Sequence, residues 1–252
     1  MYILIPLSEF VELFLLYSLS NPCYHLFEVM YMTKECNPSM DSLTFSKMLH
    51  EIKNPLTFIY SSLQLIQEDH PEVQEFRFWN QTLDDVKNLR SLLDELSSFQ
   101  KGDTLNKTKI HLFDFTEDLL ESAAAFLMEN GTPLTYESTV EDLDFYGDEQ
   151  KLRHAILNLL KNAAESSPAQ SPILLRMTTE DSHLLISVTD RGCGIAEDQI
   201  SKILEPFHTT KSYGTGLGLP IVKKIAEAHQ GSLRISSSVG VGSTFSLCLP
   251  LT

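Results

Sequence analysis

The sequence of 252 residues has few cysteines and few basic side chains. Its four cysteines (Cys23, Cys36, Cys193 and Cys248) are scattered and include no C-x-x-C pair. This spacing indicates neither a zinc site nor a disulfide framework and suits a reducing cytoplasm. The 19 Lys and Arg residues face 34 Asp and Glu residues, which gives a formal net charge of −15. Because nucleic-acid binding depends on Lys and Arg that neutralise phosphates, this charge argues against nucleic acid as the main partner.

The chain also lacks an uninterrupted apolar run that could cross a membrane. Residues 2–19 come nearest, but Glu9 and Glu12 interrupt them, and a spanning helix needs about 20 mostly apolar residues. No basic segment precedes this stretch, which disfavours a secretory signal peptide. We therefore predict a cytoplasmic protein with a leader of unknown role over residues 1–39. An amphipathic segment that binds peripherally to a membrane or docks to a partner is one alternative, and a membrane-embedded segment is another.

Two successive segments carry apolar residues at the three-and-four spacing of a helix with one buried stripe. The first stripe begins at Phe45 and ends at Ile66, and the second begins at Trp79 and ends at Phe99. Two such helices joined by a short polar break form an antiparallel hairpin. Since one hairpin cannot cover its own stripes, we predict that residues 40–102 pair with a second copy as a dimeric four-helix bundle.

After a polar linker that reaches Lys109, the pattern alternates between helix and strand. Helical periodicity predicts helices over residues 112–128, 149–165 and 221–228. Alternation and turn residues predict the strand pairs 173–178 with 184–189 and 232–237 with 243–249. Locally paired strands with helices between them predict an α+β fold, an α/β sandwich over residues 108–252.

Four short motifs follow one another along the chain. Residues 50–56 have the sequence HEIKNPL, 158–163 NLLKNA, 190–194 DRGCG and 214–219 GTGLGL. A Walker loop is excluded for the last motif because no Gly-Lys-Ser/Thr follows, and a Rossmann turn is a poor match because no acidic ribose residue or following strand is correctly spaced. Backbone N–H groups at a glycine-rich helix start can instead bind phosphate.

His50 lies off the apolar stripe, so we expect its imidazole to be accessible. A neutral imidazole is a nucleophile near neutral pH, and a nearby carboxylate, here Glu51, can take its proton and fix its tautomer. Asn54 follows one helical turn later, so its amide lies beside the same ring. Pro55 removes a backbone donor to the Glu51 carbonyl, which predicts a bend or hinge just after His50.

Polar side chains on the second and third motifs can form a ligand pocket. Asn158 and Asn162 project from one helix face, and amide oxygens suit Mg²⁺, although the two residues could simply satisfy local hydrogen bonds. Asp190 follows an apolar strand, where its carboxylate can accept a hydrogen bond from the exocyclic amine of adenine. Gly192 and Gly194 let the backbone approach such a ring closely.

Together and in this order, the four motifs resemble those of the sensor histidine kinases of two-component signalling, over roughly residues 40–250. The resemblance implies an ATP-dependent protein-histidine kinase in which His50 attacks the γ-phosphate of ATP, with help from Glu51. The phosphoryl group then passes to an aspartate of a response regulator, and Asn54 orients water for a phosphatase activity toward that regulator. The implied cofactors are ATP and Mg²⁺. The implied partners are a second copy and the regulator, with a separate sensory protein as an open alternative.

The resemblance also implies the residues of the nucleotide pocket. Asn162 is the implied Mg²⁺ ligand and Asn158 supports it. Residues 205–211 resemble a short form of the family's mobile ATP lid, as in nitrogen-regulation and sporulation kinases, with Lys211 neutralising phosphate and Phe207 packing the lid down. The remaining implied nucleotide-binding residues are Lys161, Asp190, Gly192, Gly194, Thr210, Gly214, Thr215, Gly216, Leu217 and Gly218.

Two other classes of protein stay open at this point. A chaperone-like or mismatch-repair-like ATPase would share the C-terminal pattern but would give the His50 motif no role. A non-catalytic dimerisation protein would have a decayed pocket, whereas His50, Glu51, Asn162, Asp190 and the glycines are all present. Whether phosphorylation runs within one chain or across the dimer depends on the handedness of the hairpin connection.

Overall fold

The computed structural model describes residues 42–101, 104–129, 131–140, 142–209, 211 and 214–251. The leader predicted over residues 1–39 lies outside the described residues. The chain divides into two compact units. One contains the helical region up to Gln100 together with the segment 209–215, and the other contains residues 101–208 and those from Gly216 onward. None of the described helices is long and apolar enough to cross a membrane.

Two long helices make up the helical unit. Helix α1 is Ser42–Asp69 and helix α2 is Trp79–Lys101, with a short 3₁₀ helix at Pro71–Glu75 between them. Three side-chain contacts join α1 to α2, and in order along α1 they are Lys53–Asp94, Tyr60–Arg90 and Gln67–Trp79. Residue numbers fall on α2 as they rise on α1, so the helices run antiparallel. The predicted hairpin is confirmed.

The apolar stripe of α1 is only partly covered within one chain. Leu49 and Leu56 are buried, whereas Ile52, Ile59 and Ile66 are 39%, 49% and 42% exposed. The three isoleucines recur every seven residues and therefore lie along one side of the helix.

Helix α1 continues without interruption through Pro55. Proline in a helix interior removes one backbone hydrogen bond and crowds the preceding turn, but flanking packing can keep the helix intact. The hinge proposed after His50 stays a prediction.

The second unit contains two sheets and three longer helices. Strands β1 (Thr108–His111) and β3 (Asp144–Gly147) pair antiparallel as a separate ribbon. A five-stranded sheet has the order β2-β4-β5-β7-β6, with β2 (Leu134–Ser138) parallel to β4 and all other neighbours antiparallel. Its remaining strands are β4 (Ile173–Glu180), β5 (His183–Thr189), β6 (Ser232–Ser238) and β7 (Gly242–Pro250). The longer helices are α3 (Leu112–Glu129), α4 (Glu149–Ser166) and α6 (Gly218–Ala228), and α5 is the single turn Glu197–Ile200.

The helices α3, α4 and α6 cover one face of the large sheet. Alternate residues of β5 and of the first part of β4 are buried, including Ile186 on β5 and Leu175 on β4. The Thr116 hydroxyl of α3 reaches the Met177 sulfur at 3.5 Å. The opposite face carries polar pairs such as the hydroxyls of Ser187 and Ser246, 2.8 Å apart. The predicted α/β sandwich is confirmed, as are the helices and both strand pairs predicted from the sequence.

Three strands of this unit were not predicted. Strands β1, β2 and β3 have only four or five residues each, which is too short for alternation to stand out. In β1 only Ile110 is buried, so the segment resembles the polar linker that the sequence suggested up to Lys109. The linker instead ends as a strand that begins at Thr108.

Asp148 joins three separate segments at the start of α4. Its Oδ1 accepts from the Lys151 amide at 3.1 Å and caps the helix, while its Oδ2 accepts from the Asn106 amide at 2.8 Å. Its own amide donates to His229 Nε2 at 2.9 Å, and His229 Nδ1 donates to the Ile225 carbonyl at 2.8 Å. His229 is therefore held as the neutral Nδ1–H tautomer, and burial lowers its pKa.

We expect His229 to make the protein less stable in mild acid. An unfolded histidine titrates at about 6.5, and the folded pKa is lower. The unfolded state therefore takes up the proton first, and the contribution to stability is lost as the pH falls through this window. His229→Gln keeps an acceptor for the Asp148 amide but cannot titrate. In urea unfolding at pH 7 and pH 5, this variant should lose less stability than the wild type.

His183→Gln, which changes a partly exposed histidine on β5, serves as the control and should behave as the wild type. An equal loss of stability in the wild type and His229→Gln would contradict the assignment.

Candidate functional site

His50 is exposed on α1, as the sequence predicted, and Glu51 and Asn54 are exposed beside it. Within the described part of the chain, His50 forms no hydrogen bond or ion pair with another residue. Glu51 is the next residue along the helix, and successive side chains diverge too far to face each other. Asn54 is one turn away and shares the face of His50. The helix therefore presents an unpaired imidazole with an amide beside it.

Asp190 lies at the end of β5 and is only 5% exposed. Its Oδ1 accepts hydrogen bonds from the backbone amides of Gly192 at 2.8 Å and Ser243 at 3.2 Å. Its Oδ2 accepts no hydrogen bond from any described residue. Burial raises the pKa of this carboxyl, although the two backbone hydrogen bonds oppose the shift. One oxygen is therefore fixed by the backbone, and the other is left as an acceptor for a ligand.

Glycine is required at two positions of the loop after Asp190. A Cβ on Gly192 would lie 2.4 Å from the Ser166 carbonyl oxygen at the end of α4. Gly194 has a φ of +67°, and a Cβ there would lie 2.0 Å from the Ser238 carbonyl oxygen. The backbone of this loop thus packs directly against α4 and β6.

The two asparagines of the second motif lie on α4. Asn158 Nδ2 is buried and has no hydrogen-bond partner among the described residues. Asn162 Nδ2 lies 3.7 Å from the position of a Cβ on Gly218, the first residue of α6. Lys161 points to the exposed side, where its Nζ is 4.0 Å from Glu165 Oε1. The asparagine face of α4 therefore meets the glycine-rich start of α6.

The start of α6 offers backbone donors rather than a capped end. Leu217 is buried, and no side chain of the described residues caps the N-terminus of α6. Gly216 has a φ of +67°, and a Cβ on it would lie 2.4 Å from the Phe207 carbonyl carbon. The Phe207 amide donates to the Gly216 carbonyl at 2.9 Å. The beginning of the proposed lid thus packs on the glycine motif, next to N–H groups that can bind an anion.

Residues 209–215 include the end of the proposed lid. Thr210 lies outside the described residues. The Lys211 carbonyl accepts from the Gly214 amide at 3.2 Å, and the Thr215 hydroxyl donates to Glu95 on α2. These residues belong to the unit with the helical hairpin, whereas Asp190, both asparagines and Gly216 belong to the other unit.

Two serines beside Asp190 were missed by sequence reasoning. Ser243 donates its amide to Asp190, and Ser237 accepts the Ile195 amide on its hydroxyl at 2.8 Å. The two serines are cross-strand partners in the β6–β7 register. A serine on a strand carries no periodic signal, so only this register places them at the loop.

Two family models match the chain one after the other. Residues 41–105 match the model described as the His Kinase A (phospho-acceptor) domain. Residues 147–252 match the model described as the histidine kinase-, DNA gyrase B-, and HSP90-like ATPase. The chain belongs to the sensor histidine kinases. His50 lies in the first matched segment, and Asn158, Asp190 and the glycine motif lie in the second.

Named histidine kinases match most of the chain. Sporulation kinase C of Bacillus subtilis is 30% identical over 84% of this chain and 50% of its own length. AtoS of Escherichia coli, a signal transduction histidine-protein kinase, is 30% identical over 80% of this chain and 33% of its own length. The chain therefore spans half or less of the length of these curated relatives.

Solved structures of histidine kinases share the fold. Full-length ShkA in complex with AMPPNP has a TM-score of 0.72 at 22% identity and covers 84% of this chain and 46% of its own. The catalytic domain of ThkA has a TM-score of 0.54 at 27% identity and covers 58% of this chain and 97% of its own.

Two glycines with the same backbone conformation allow a matched test of the Asp190 loop. Gly194 and Gly240 have φ angles of +67° and +77°, but only Gly194 lacks room for a Cβ, since nothing lies within 4 Å of one on Gly240. Gly240→Ala should cost about 1–2 kcal/mol of stability from the left-handed backbone alone. Gly194→Ala should cost a further ~1–3 kcal/mol, because the loop must move away from β6. Urea unfolding of both variants measures the difference, and equal losses would show that the loop is not packed in this way.

Proposed function

We propose that this chain is an ATP-dependent protein-histidine kinase that autophosphorylates His50 and passes the phosphoryl group to an aspartate of a response regulator. The observation that carries the proposal is an exposed, unpaired imidazole in a phosphoacceptor-type hairpin that precedes an ATPase-type domain. In this assignment residues 40–102 form the dimerisation and phosphotransfer hairpin. Residues 108–252 form the catalytic domain, and residues 1–39 have no assigned role.

The adenine of ATP binds at the Asp190 loop. Asp190 Oδ2 accepts from the exocyclic amine, because Oδ1 is already occupied by the amides of Gly192 and Ser243. Gly192 and Gly194 let the loop pack directly against α4 and β6, which fixes the loop backbone that lies beside the base in this proposal. The uncapped N-terminus of α6, which begins at Gly218, binds the phosphates through backbone N–H groups.

The asparagines of α4 fit a magnesium ion held jointly with the triphosphate. Asn162 is the proposed ligand and Asn158 supports it, since the buried Nδ2 of Asn158 has no hydrogen-bond partner among the described residues. A side-chain amide can rotate by 180° to exchange the positions of its nitrogen and oxygen. Asn158 can therefore present its oxygen to a cation. Held there, Mg²⁺ would neutralise phosphate charge, which matters in a chain of formal net charge −15.

Lys161 on α4, the lid and the glycine motif supply the remaining contacts in this proposal. Lys161 and Lys211 contribute positive charge toward the phosphates, and Phe207 packs the lid down over the nucleotide. The other proposed contacts come from the backbone and side chains of the lid and the glycine motif, namely Thr210, Gly214, Thr215, Gly216 and Leu217.

The reaction requires His50 to act as a neutral nucleophile. Its unprotonated ring nitrogen attacks the γ-phosphorus of ATP, a P–N bond forms, the bond to the β–γ bridging oxygen breaks, and ADP leaves. The proton on the other ring nitrogen then goes to a base. Glu51 can accept it only after one of the two exposed side chains rotates, because they form no hydrogen bond with each other.

The same helix face serves the second half of the cycle. The phosphohistidine passes its phosphoryl group to a regulator aspartate, and an N–P bond is exchanged for an O–P bond. Asn54, one turn from His50, is placed to orient water for hydrolysis of the regulator's acyl phosphate. The chain thereby also acts as a phosphatase toward that regulator.

A second copy covers the exposed isoleucine stripe of α1. Ile52, Ile59 and Ile66 are too apolar to be left in water along one helix face. Pairing two hairpins as a four-helix bundle buries this stripe.

The kinase proposal predicts a phosphorylation on His50 and nowhere else. The protein is incubated with Mg²⁺ and γ-labelled ATP, and the labelled band is treated with acid and with alkali. We expect label that survives alkali, is lost in acid and is absent from His50→Gln. His70→Gln changes another exposed histidine of the same hairpin and should label as the wild type. ATP binding without any label would contradict kinase activity and favour a non-catalytic dimerisation protein or a phosphatase.

The dimer proposal predicts that a charge in the stripe separates the two copies. Ile59→Lys should sediment at half the mass of the wild type at micromolar concentration, because a buried, unpaired lysine opposes the interface. Gln64→Lys, at an exposed position outside the stripe, is the matched control and should remain dimeric. A dimeric Ile59→Lys variant would show that the stripe is not the interface.

A further inference from the structure

The loop that carries Asp190 is held at both ends by the β6–β7 hairpin. At its start, the Asp190 amide donates to the Ser243 carbonyl at 2.9 Å, and the Ser243 amide donates to Asp190 Oδ1 at 3.2 Å. At its end, the Ile195 amide donates to the Ser237 hydroxyl at 2.8 Å. Ser237 therefore holds the loop without touching Asp190 itself.

The Ser237 hydroxyl uses its full hydrogen-bonding capacity. It donates to the Gly242 carbonyl at 3.0 Å and accepts from the Ile195 amide. The two hydroxyl oxygens of Ser237 and Ser243 are 2.9 Å apart, so the Ser243 hydroxyl can donate to the second lone pair of Ser237. A serine hydroxyl has one donor and two acceptor sites, so all three are occupied. The network includes Ser243, whose backbone amide donates to the carboxylate of Asp190.

We propose that Ser237 is a positioning residue that fixes the direction of the uncommitted oxygen of Asp190 and thereby sets the preference for a 6-aminopurine over a 6-oxopurine nucleotide. This inference rests on the proposed ATP site. An exocyclic amine donates to a fixed carboxylate oxygen, whereas a 6-carbonyl group meets it acceptor to acceptor. The preference for the 6-aminopurine therefore depends on how rigidly the carboxylate is held.

Removal of the hydroxyl should loosen the loop without unfolding the domain. In Ser237→Ala, the Ile195 amide loses its acceptor and the Ser243 hydroxyl loses its partner. Four other hydrogen bonds remain. They join the Asp190 amide to the Ser243 carbonyl, the amides of Gly192 and Ser243 to Asp190 Oδ1, and the Gly240 amide to the Cys193 carbonyl at 2.7 Å. The carboxylate then keeps its approximate position but not its fixed direction.

The test is a comparison of ATP and GTP affinities in the full chain with Mg²⁺. Each nucleotide is titrated against a fluorescent adenine nucleotide, so that weak GTP binding is measurable. We expect Ser237→Ala to weaken ATP binding about 3- to 10-fold, the effect of one lost hydrogen bond. GTP binding should change less, so the dissociation constant for GTP divided by that for ATP should become smaller. Ser237→Thr keeps the hydroxyl and should restore the wild-type ratio.

Ser187→Ala is the matched control. Ser187 also forms a cross-strand hydroxyl pair in the same sheet, 2.8 Å from Ser246, but its side chain forms no hydrogen bond with the described residues of the Asp190 loop. It should leave both affinities unchanged. In an Asp190→Asn background, Ser237→Ala should not alter the ratio further.

The outcomes separate this inference from the proposed function. A wild-type chain that binds no ATP would overturn the proposed function and this inference with it. A wild type that binds ATP, together with a Ser237→Ala variant in which both nucleotides weaken equally or not at all, would overturn only the role of Ser237.

Discussion

The buried carboxylate of Asp190, with its two backbone hydrogen bonds, is the constraint that determines the structure of the proposed nucleotide site. A carboxylate that is only 5% exposed is costly unless it is hydrogen-bonded, and the amides of Gly192 and Ser243 provide those bonds through one oxygen. Their geometry forces the chain into a tight loop against α4 and β6, which leaves no room for side chains at Gly192 and Gly194. The second oxygen accepts no hydrogen bond from the described residues, and in our proposal it is the acceptor for the adenine amine.

The two units present different kinds of surface. A protein of formal net charge −15 must bind a polyanion, and it does so in our proposal with backbone N–H groups of an uncapped helix, neutral amides and a bound cation rather than a basic patch. The hairpin instead leaves exposed a stripe of isoleucines and the imidazole of His50, which has no partner among the described residues. One surface is suited to chemistry on a partner, and the other to association with a second copy.

The sequence predicted those features that rest on local periodicity or on short motifs. The hairpin, the helices α3, α4 and α6, and the strand pairs β4–β5 and β6–β7 follow from apolar spacing, and the exposure of His50 follows from its position off the stripe. Strands β1 to β3 were missed because four or five residues with little burial give no usable alternation. The roles of Ser237 and His229 depend on partners 42 and 81 residues away in sequence, which no local pattern contains.

A calorimetric titration of Mg-ATP into Asp190→Asn, beside the wild type, tests the central claim most directly. Asparagine can still accept both backbone hydrogen bonds through its oxygen, and it removes a buried charge. The free energy of unfolding should therefore stay within about 1 kcal/mol of the wild type. The amide nitrogen would then face the adenine amine, donor against donor, and ATP affinity should fall at least ~10-fold. A stable Asp190→Asn variant that binds ATP as tightly as the wild type would contradict the assignment of Asp190 as the adenine acceptor.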